Sequence, residues 1–402
     1  MREFLEKLGV KTLFSYTKPT SNVYNVTLNA IDLPFVSFGK GESLDEALNS
    51  AYGEMCERIL TRNFLEEYYI NALYPDAIVT DKFLNEPLRE FYKIDELEKE
   101  ELLDFNSDVF DILSIPFTNP KTGEIVYFPI NIVQNLYASN GMAFYSDLKT
   151  AYYNAKTEII ERFVKYEVIR YTLSIPKISH PLNDEFIQVY DATLGGKYPV
   201  MAVSFIKDNE IILSFGCDLD REKAIKKAYL ELFQTELKKR GKLIDDDSVK
   251  DSFNLTKHFI DLSGDVHINF LKKPYFKEAK WDFDNLGVFK EDEYIKIYTA
   301  QNFYAVHLII PQISEIYPID DLIYHNINKG KFIRKDILQR QNKQKVIDYI
   351  YEHGAWDIGQ FIGVIFDKKY TLENLDELYE GYEFGSEYQN ILKLSKELNA
   401  LR

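Results

Sequence analysis

The chain has 402 residues, 46% hydrophobic and 28% charged, with a formal net charge of −16. That leaves room for two or three domains of ordinary soluble composition, and the acidic balance argues against direct nucleic-acid binding, which needs a basic surface. Two cysteines, Cys56 and Cys217, exclude a disulfide framework, and without a leader-like start or an apolar run of about 18 residues a cytoplasmic protein with no membrane contact is expected.

Residues 2 to 9 predict a short helix, and NVYNVTLNAI followed by LPFVSF predicts a hairpin. The hairpin feeds PFVSFGKGESLDEALNSAYGEMCER, which reads as a strand ending in Ser37-Phe38-Gly39, an N-cap at Ser43 with Glu46 as a capping box, and a helix. An insertion at about residues 62 to 120 follows, with an acidic middle, IDELEKEELLDFNSDVFD, read as a solvated face. GEIVYFPINIVQNLYAS predicts a second hairpin, ahead of Ser139-Asn140-Gly141, a cap at Asp147 and a long helix. Asp191 and Gly195-Gly196 precede a third hairpin with Asp208-Asn209 at its turn, then Ser214-Phe215-Gly216, a cap at Asp220 and a third helix.

Beyond a mixed-charge loop at residues 238 to 250, YIKIYTAQNFYAVHLIIPQ predicts a strand pair. His258, His267, His307 and His325 lack metal-ligand spacing. Ile333 to His353, Leu372 to Gly381 behind a Thr371 cap, and Tyr388 to Leu401 carry helical periodicity.

The three strand-loop-helix units repeat in register. From each cap the first alanine stands four residues on (Ala47, Ala151, Ala224) and the second eight on (Ala51, Ala155, Ala228). A glutamate stands eleven on (Glu54, Glu158, Glu231), and Glu57, Glu161 and Gln234 stand fourteen on. Counted from the glycine, the second copy has a loop two residues longer. One capped Ala- and Glu-rich helix is ordinary, but three in register are not. Small alanines let backbones approach and bring five carboxylates together, an arrangement stable only around hard divalent cations such as Mg²⁺.

Ser50-x3-Glu54-xx-Glu57-Arg58, Glu158-xx-Glu161-Arg162 and Glu231-xx-Gln234 resemble the nucleotide-binding motifs of the YcaO family. NIVQNLYASNGM, GGKYPVMAV, HFIDLSG and IIPQISEIYPIDDL are most similar to its ribosomal-protein methylthiolation accessory-factor branch. The resemblance implies ATP and Mg²⁺ as cofactors, with Glu54, Glu57, Glu158, Glu161 and Glu231 on the metal. It implies Arg58, Arg162 and Gln234 at the nucleotide, with Lys40 in Gly39-Lys40-Gly41 as a candidate phosphate contact. Ser50 touches the nucleotide or is a small packing residue.

The expected fold is α+β. A mixed, largely antiparallel sheet carries three strand-loop-helix units around an ATP/Mg site, as residues 1–330, with a small helical region over 331–402. The expected function is ATP-dependent amide activation or ATP hydrolysis, as an accessory factor in β-methylthiolation of a small-subunit ribosomal protein beside a radical methylthiotransferase. The alternatives are a thioamide- or azoline-forming peptide enzyme and a non-catalytic nucleotide-regulated binder. The ending KELNALR, without a proline-rich tail, and the 33 residues ahead of Pro34, too few for a peptide clamp, count against azoline formation. A homodimer is one assembly left open. Cys56 faces away from the glutamate stripe and belongs to the core.

Overall fold

The structure, a computed structural model, describes residues 1–81, 106–171, 173–207, 210–233, 241–242, 276–316 and 328–401. Most of the acidic stretch, the Asp208-Asn209 turn, Gln234 and His258, His267 and His325 lie outside these residues.

The chain opens with α1 (Arg2–Lys7), β1 (Lys11–Thr20), β2 (Val23–Ile31), β3 (Val36–Gly41) and α2 (Leu44–Leu60). β4 (Ile78–Thr80), β5 (Ile112–Thr118), β6 (Ile125–Pro129), β7 (Met142–Tyr145) and α3 (Leu148–Arg170) follow. Next come β8 (Ile187–Asp191), β9 (Val200–Lys207), β10 (Glu210–Cys217), α4 (Arg221–Leu232), β11 (Gly241–Lys242), β12 (Tyr294–Ala300) and β13 (Phe303–Ile309). The fold is α+β, and its strands divide into three antiparallel sheets, ordered β1-β2-β3, β11-β10-β9-β8 and β4-β5-β12-β13-β7 with β6 on β5. β1 shows no alternation in sequence because Leu13, Phe14 and Tyr16 are exposed on both of its faces.

All three caps form. Ser43 accepts from Glu46 N, Asp147 from Thr150 N, and Asp220 from Glu222 N and Lys223 N. The return arm of the first box lands one residue early, since Glu46 Oε2 accepts from Glu42 N. Each alanine pair is fully buried. Ser37 Oγ donates to Ala51 O and Ser214 Oγ to Ala228 O, so strand and helix meet the same way in the first and third repeats. A methyl on Gly39 would sit 2.0 Å from Ala47 O, and one on Gly216 2.1 Å from Ala224 O. These glycines are required by close backbone approach.

The second repeat corrects the sequence register. Four residues before the caps stand Gly39, Ala143 and Gly216, and six before stand Ser37, Gly141 and Ser214. Ala143 is buried with Ala151 and Ala155, while Gly141 faces Leu308 O and Ile159 and has φ +78°. Counted from the cap, therefore, no loop is longer. Ser139-Asn140-Gly141 is a turn before β7 rather than the end of a strand. The hairpin expected there also stops at Pro129. Ile130–Ile132 begins a helical turn that widens to a π-helix over Val133–Tyr137. Ile132, Val133 and Leu136 are buried at helical spacing, and Asn135 Nδ2 donates back to Asn131 O, a local bond that competes with a ladder.

Each repeat helix packs on the strand before it and reaches the next repeat. α2 touches β3 and β7, α3 touches β7 and β10, and α4 touches β10 and returns to β3. The three units thus close on one another, and the helix turns that carry the glutamates come together.

The C-terminal helices are α5 (Lys331–Leu338), α6 (Lys343–His353), α7 (Ile358–Ile362), α8 (Leu375–Glu380) and α9 (Ser386–Ala400). The single helix expected over Ile333 to His353 is two, because Arg340 and Asn342 adopt left-handed φ of 54° and 48°. Ile391, Leu394 and Leu398 of α9 belong to the buried cluster that holds Met55 and Ile59 of α2. Among the described residues, no helix is long and apolar enough to cross a membrane.

Candidate functional site

Glutamates eleven and fourteen residues past a cap lie three and four turns into their helices, beyond the alanines that dock on the strands. Glu54 accepts from Phe38 N at 2.7 Å, using an open edge of β3. Glu161 of α3 accepts from Cys217 N of β10 at 3.3 Å, reaching into the next repeat. Lys40 of β3 pairs with Glu231 of α4, which joins the third repeat to the first. Arg58 lies 3.8 Å from Glu54 and 3.5 Å from Glu57, and Arg162 lies 2.8 Å from Glu158.

These groups feel one another across the cleft. Burial, followed by repulsion from Glu158 and Glu54, pushes the Glu57 carboxyl up to about 8 despite Arg58 and Arg162. Burial also raises Glu161, against attraction from Lys40 and Lys227. Lys40 is lowered to about 8 by burial, while Glu161, Glu54 and Glu158 oppose the shift. Eight of the ten candidate residues therefore gather in one place. Ser50 is exposed one turn ahead of Glu54, and Gln234 lies beyond the described residues.

Arginine and lysine side chains stand between the carboxylates, and among the described residues no three His, Cys, Asp or Glu are set to hold an ion as they stand. The donor chemistry nonetheless fits a hard cation with a polyphosphate. The five glutamates are all-oxygen donors, two of them held protonation-prone by burial and mutual repulsion that a divalent cation offsets. Three cations, Lys40, Arg58 and Arg162, are at hand for phosphate oxygens.

Two groups escaped the sequence reading. Lys227 donates to Cys217 O and pairs with Asp218 at 3.0 Å beside Glu161. Tyr145, raised by burial and then by Glu57, feels the charge of that carboxylate. The helical register of α4 carries a signal for Lys227, four residues before Glu231. Other expectations resolve structurally. Cys56 is fully buried and its thiol is pushed up to about 12 by desolvation, so it is inert. His307 is buried and neutral, lowered to about 3 by burial. Asp191 accepts from Thr193 N and Ala279 N, and Gly195 and Gly196 adopt φ of +80° and +82°, so turn chemistry accounts for all three.

The raised Glu57 has a consequence with a definite sign. Between the ordinary 4.5 and about 8 the folded, unliganded chain binds a proton that the unfolded chain does not, so its stability falls as pH rises through that window. A bound cation favours the carboxylate instead. Loading with Mg²⁺ and ATP near neutral pH is therefore expected to release protons, and affinity is expected to climb from about pH 6 to about pH 9. Calorimetry in buffers of differing ionisation enthalpy reads both; proton uptake on loading would contradict this electrostatic picture.

The sequence model of the YcaO family, described as a cyclodehydratase that binds ATP and Mg²⁺, matches residues 38–314. An uncharacterised protein of Haemophilus influenzae is 31% identical over 385 residues, covering 82% of this chain and 66% of that one. The ribosomal protein S12 methylthiotransferase accessory factor YcaO of Escherichia coli is 29% identical over 439 residues, covering 95% of this chain and 71% of that one. The chain thus spans about two thirds of the length of these relatives. Among solved structures, YcaO from Methanopyrus kandleri bound with AMPPCP and Mg²⁺ is similar with a TM-score of 0.48 and 15% identity, over 78% of this chain and 88% of that one. The chain belongs to the YcaO family, and ATP and Mg²⁺ are its cofactors.

Proposed function

We propose that this protein couples ATP to the activation of a protein or peptide amide, as an accessory factor in β-methylthiolation of a small-subunit ribosomal protein, with a radical methylthiotransferase as partner. The observation that carries the chemistry is the convergence of three cap-registered glutamates with Lys40, Arg58 and Arg162 in one cleft. The accessory-factor name of the Escherichia coli relative supports the biological assignment. Two free, buried cysteines agree with a cytoplasmic setting.

Glu54, Glu57, Glu158, Glu161 and Glu231 would hold Mg²⁺, which supplies charge neutralisation for the phosphates. Lys40, Arg58 and Arg162, whose present partners are those same carboxylates, turn to phosphate oxygens when the carboxylates are otherwise engaged. Gln234 and Ser50 complete the nucleotide contacts. Phosphoryl transfer to an amide oxygen depends on positioning and charge, so no side-chain nucleophile is required. Cys56 and Cys217 are both fully buried with raised thiols, and neither is available as one.

The expected result is slow ATP hydrolysis to ADP and phosphate without a peptide, and no change in mass of Cys- or Ser-containing peptides. The family model's description as a cyclodehydratase favours a second reading, azoline formation. Loss of one water from such a peptide, read by mass spectrometry, would put that reading first. ATP binding without turnover, even beside the methylthiotransferase and its ribosomal substrate, would leave a non-catalytic nucleotide-regulated binder.

A further inference from the structure

The three repeats differ at two places counted from their caps. Two residues before the cap stand Gly41, Tyr145 and Asp218, and seven residues after it stand Ser50, Asn154 and Lys227. Only the third repeat is charged at these places, and there the two charges meet. Lys227 Nζ lies 3.0 Å from Asp218 Oδ2 and donates to Cys217 O at 2.9 Å. The carboxylate is fixed from its other side. Asp218 is buried, and its Oδ1 accepts from the Tyr153 hydroxyl and from Asp220 N, each at 3.1 Å. The Tyr153 hydroxyl in turn accepts from Leu219 N, which ties α3 to the loop ahead of α4.

This sets Lys227 apart from the other cations of the cleft. Lys40 pairs with Glu231, Arg58 with Glu54 and Glu57, and Arg162 with Glu158. Lys227 has two of the same carboxylates at hand. Glu231 follows it by four residues on α4, a spacing at which helix side chains meet. Glu161 feels its charge and accepts from Cys217 N, on the residue whose carbonyl Lys227 holds. Yet among the described residues its ion pair is with Asp218. A fixed carboxylate with a carbonyl beside it outcompetes a more hydrated one: the Asp218 side chain is 11% exposed and that of Glu231 41%. Resting on the reading of the cleft as the Mg²⁺ and ATP site, we infer that Asp218 is a positioning residue. It holds Lys227 off Glu161 and Glu231 and so keeps both carboxylates for the metal. A lysine released from Asp218 neutralises one of them and has to be displaced before a cation can bind there.

The test titrates ATP into the full chain by calorimetry at a series of free Mg²⁺ concentrations, and reads the free Mg²⁺ that gives half of the final ATP affinity. Asp218→Asn keeps the shape of the side chain and removes its charge. It is expected to raise that Mg²⁺ requirement by about tenfold or more, the scale on which partners of metal ligands act, while ATP affinity at saturating Mg²⁺ returns towards the wild-type value. Adding Lys227→Gln to Asp218→Asn is expected to bring the requirement back to within about threefold of wild type, because the competing ammonium is gone. Lys227→Gln alone is expected to need no more Mg²⁺ than the wild type, and this arm decides the matter if Asp218→Asn does not fold. An unchanged requirement in Asp218→Asn would overturn the assignment. So would a double variant as impaired as Asp218→Asn, which makes Asp218 a brace for its loop, or a greater requirement in Lys227→Gln, which makes the lysine itself a ligand. Wild-type ATP binding indifferent to Mg²⁺ overturns the reading of the cleft, and the role of Asp218 with it.

Discussion

Glu158→Ala is expected to lose Mg²⁺-dependent ATP binding by at least about a hundredfold, since even the outer-shell partners of metal ligands are worth 10–100-fold, and to hydrolyse no ATP. Glu158 sits eleven residues past the Asp147 cap, on the second of the three helices that close the ring. Its side chain keeps 28% of its surface exposed and its partner, Arg162, is one turn away on the same helix. Removing it therefore costs the fold little, because exposed pairs of this kind contribute about 0–1 kcal/mol. Glu54→Ala and Glu231→Ala occupy the equivalent places and are expected to behave alike. A folded Glu158→Ala protein with normal ATP affinity and turnover would remove the second helix from the site.

Lys156→Ala is expected to do the reverse, damaging the fold and not the site directly. Lys156 lies two residues before Glu158, off the glutamate stripe of its helix. In the structure its ammonium is 7% exposed and pairs with Glu293, itself 8% exposed, which also accepts from the Tyr152 hydroxyl. Truncating the lysine leaves a buried carboxylate facing a phenol without a cation, a loss of about 3–5 kcal/mol. At roughly 2–4 °C per kcal/mol for a sizeable domain, the melting temperature is expected to fall by roughly 6–20 °C. Lys156→Met combined with Glu293→Leu should recover much of that, because no charge is left unpaired. An unchanged melting temperature in Lys156→Ala would show that the pair is solvated.

What the sequence made legible was local and repeated. Ser43, Asp147 and Asp220 are caps because side-chain oxygens satisfy helix N–H groups within three residues, and positions at a set distance from a cap could be read from it: each alanine pair is buried, and the five glutamates come together. Register failed where the count began at a glycine: Gly141 matches Ser37 in place, and a buried alanine, Ala143, does the work of Gly39. Non-local partners were out of reach. Nothing near Lys156 in sequence announces Glu293, and nothing near Lys40 announces Glu231. The strand-to-π-helix change at Pro129 and the break at Arg340 and Asn342 were hidden for a related reason, since each depends on backbone choices that hydrophobic periodicity does not record.

The central claim is that the ring of carboxylates serves a metal-bound polyphosphate. Titrating ATP into the full chain by calorimetry, once with excess Mg²⁺ and once with excess EDTA, tests it most directly. ATP should bind in the first titration and show no measurable heat of binding in the second, because uncompensated phosphates cannot enter a cleft lined by five glutamates. Equal ATP affinity in both titrations would contradict it.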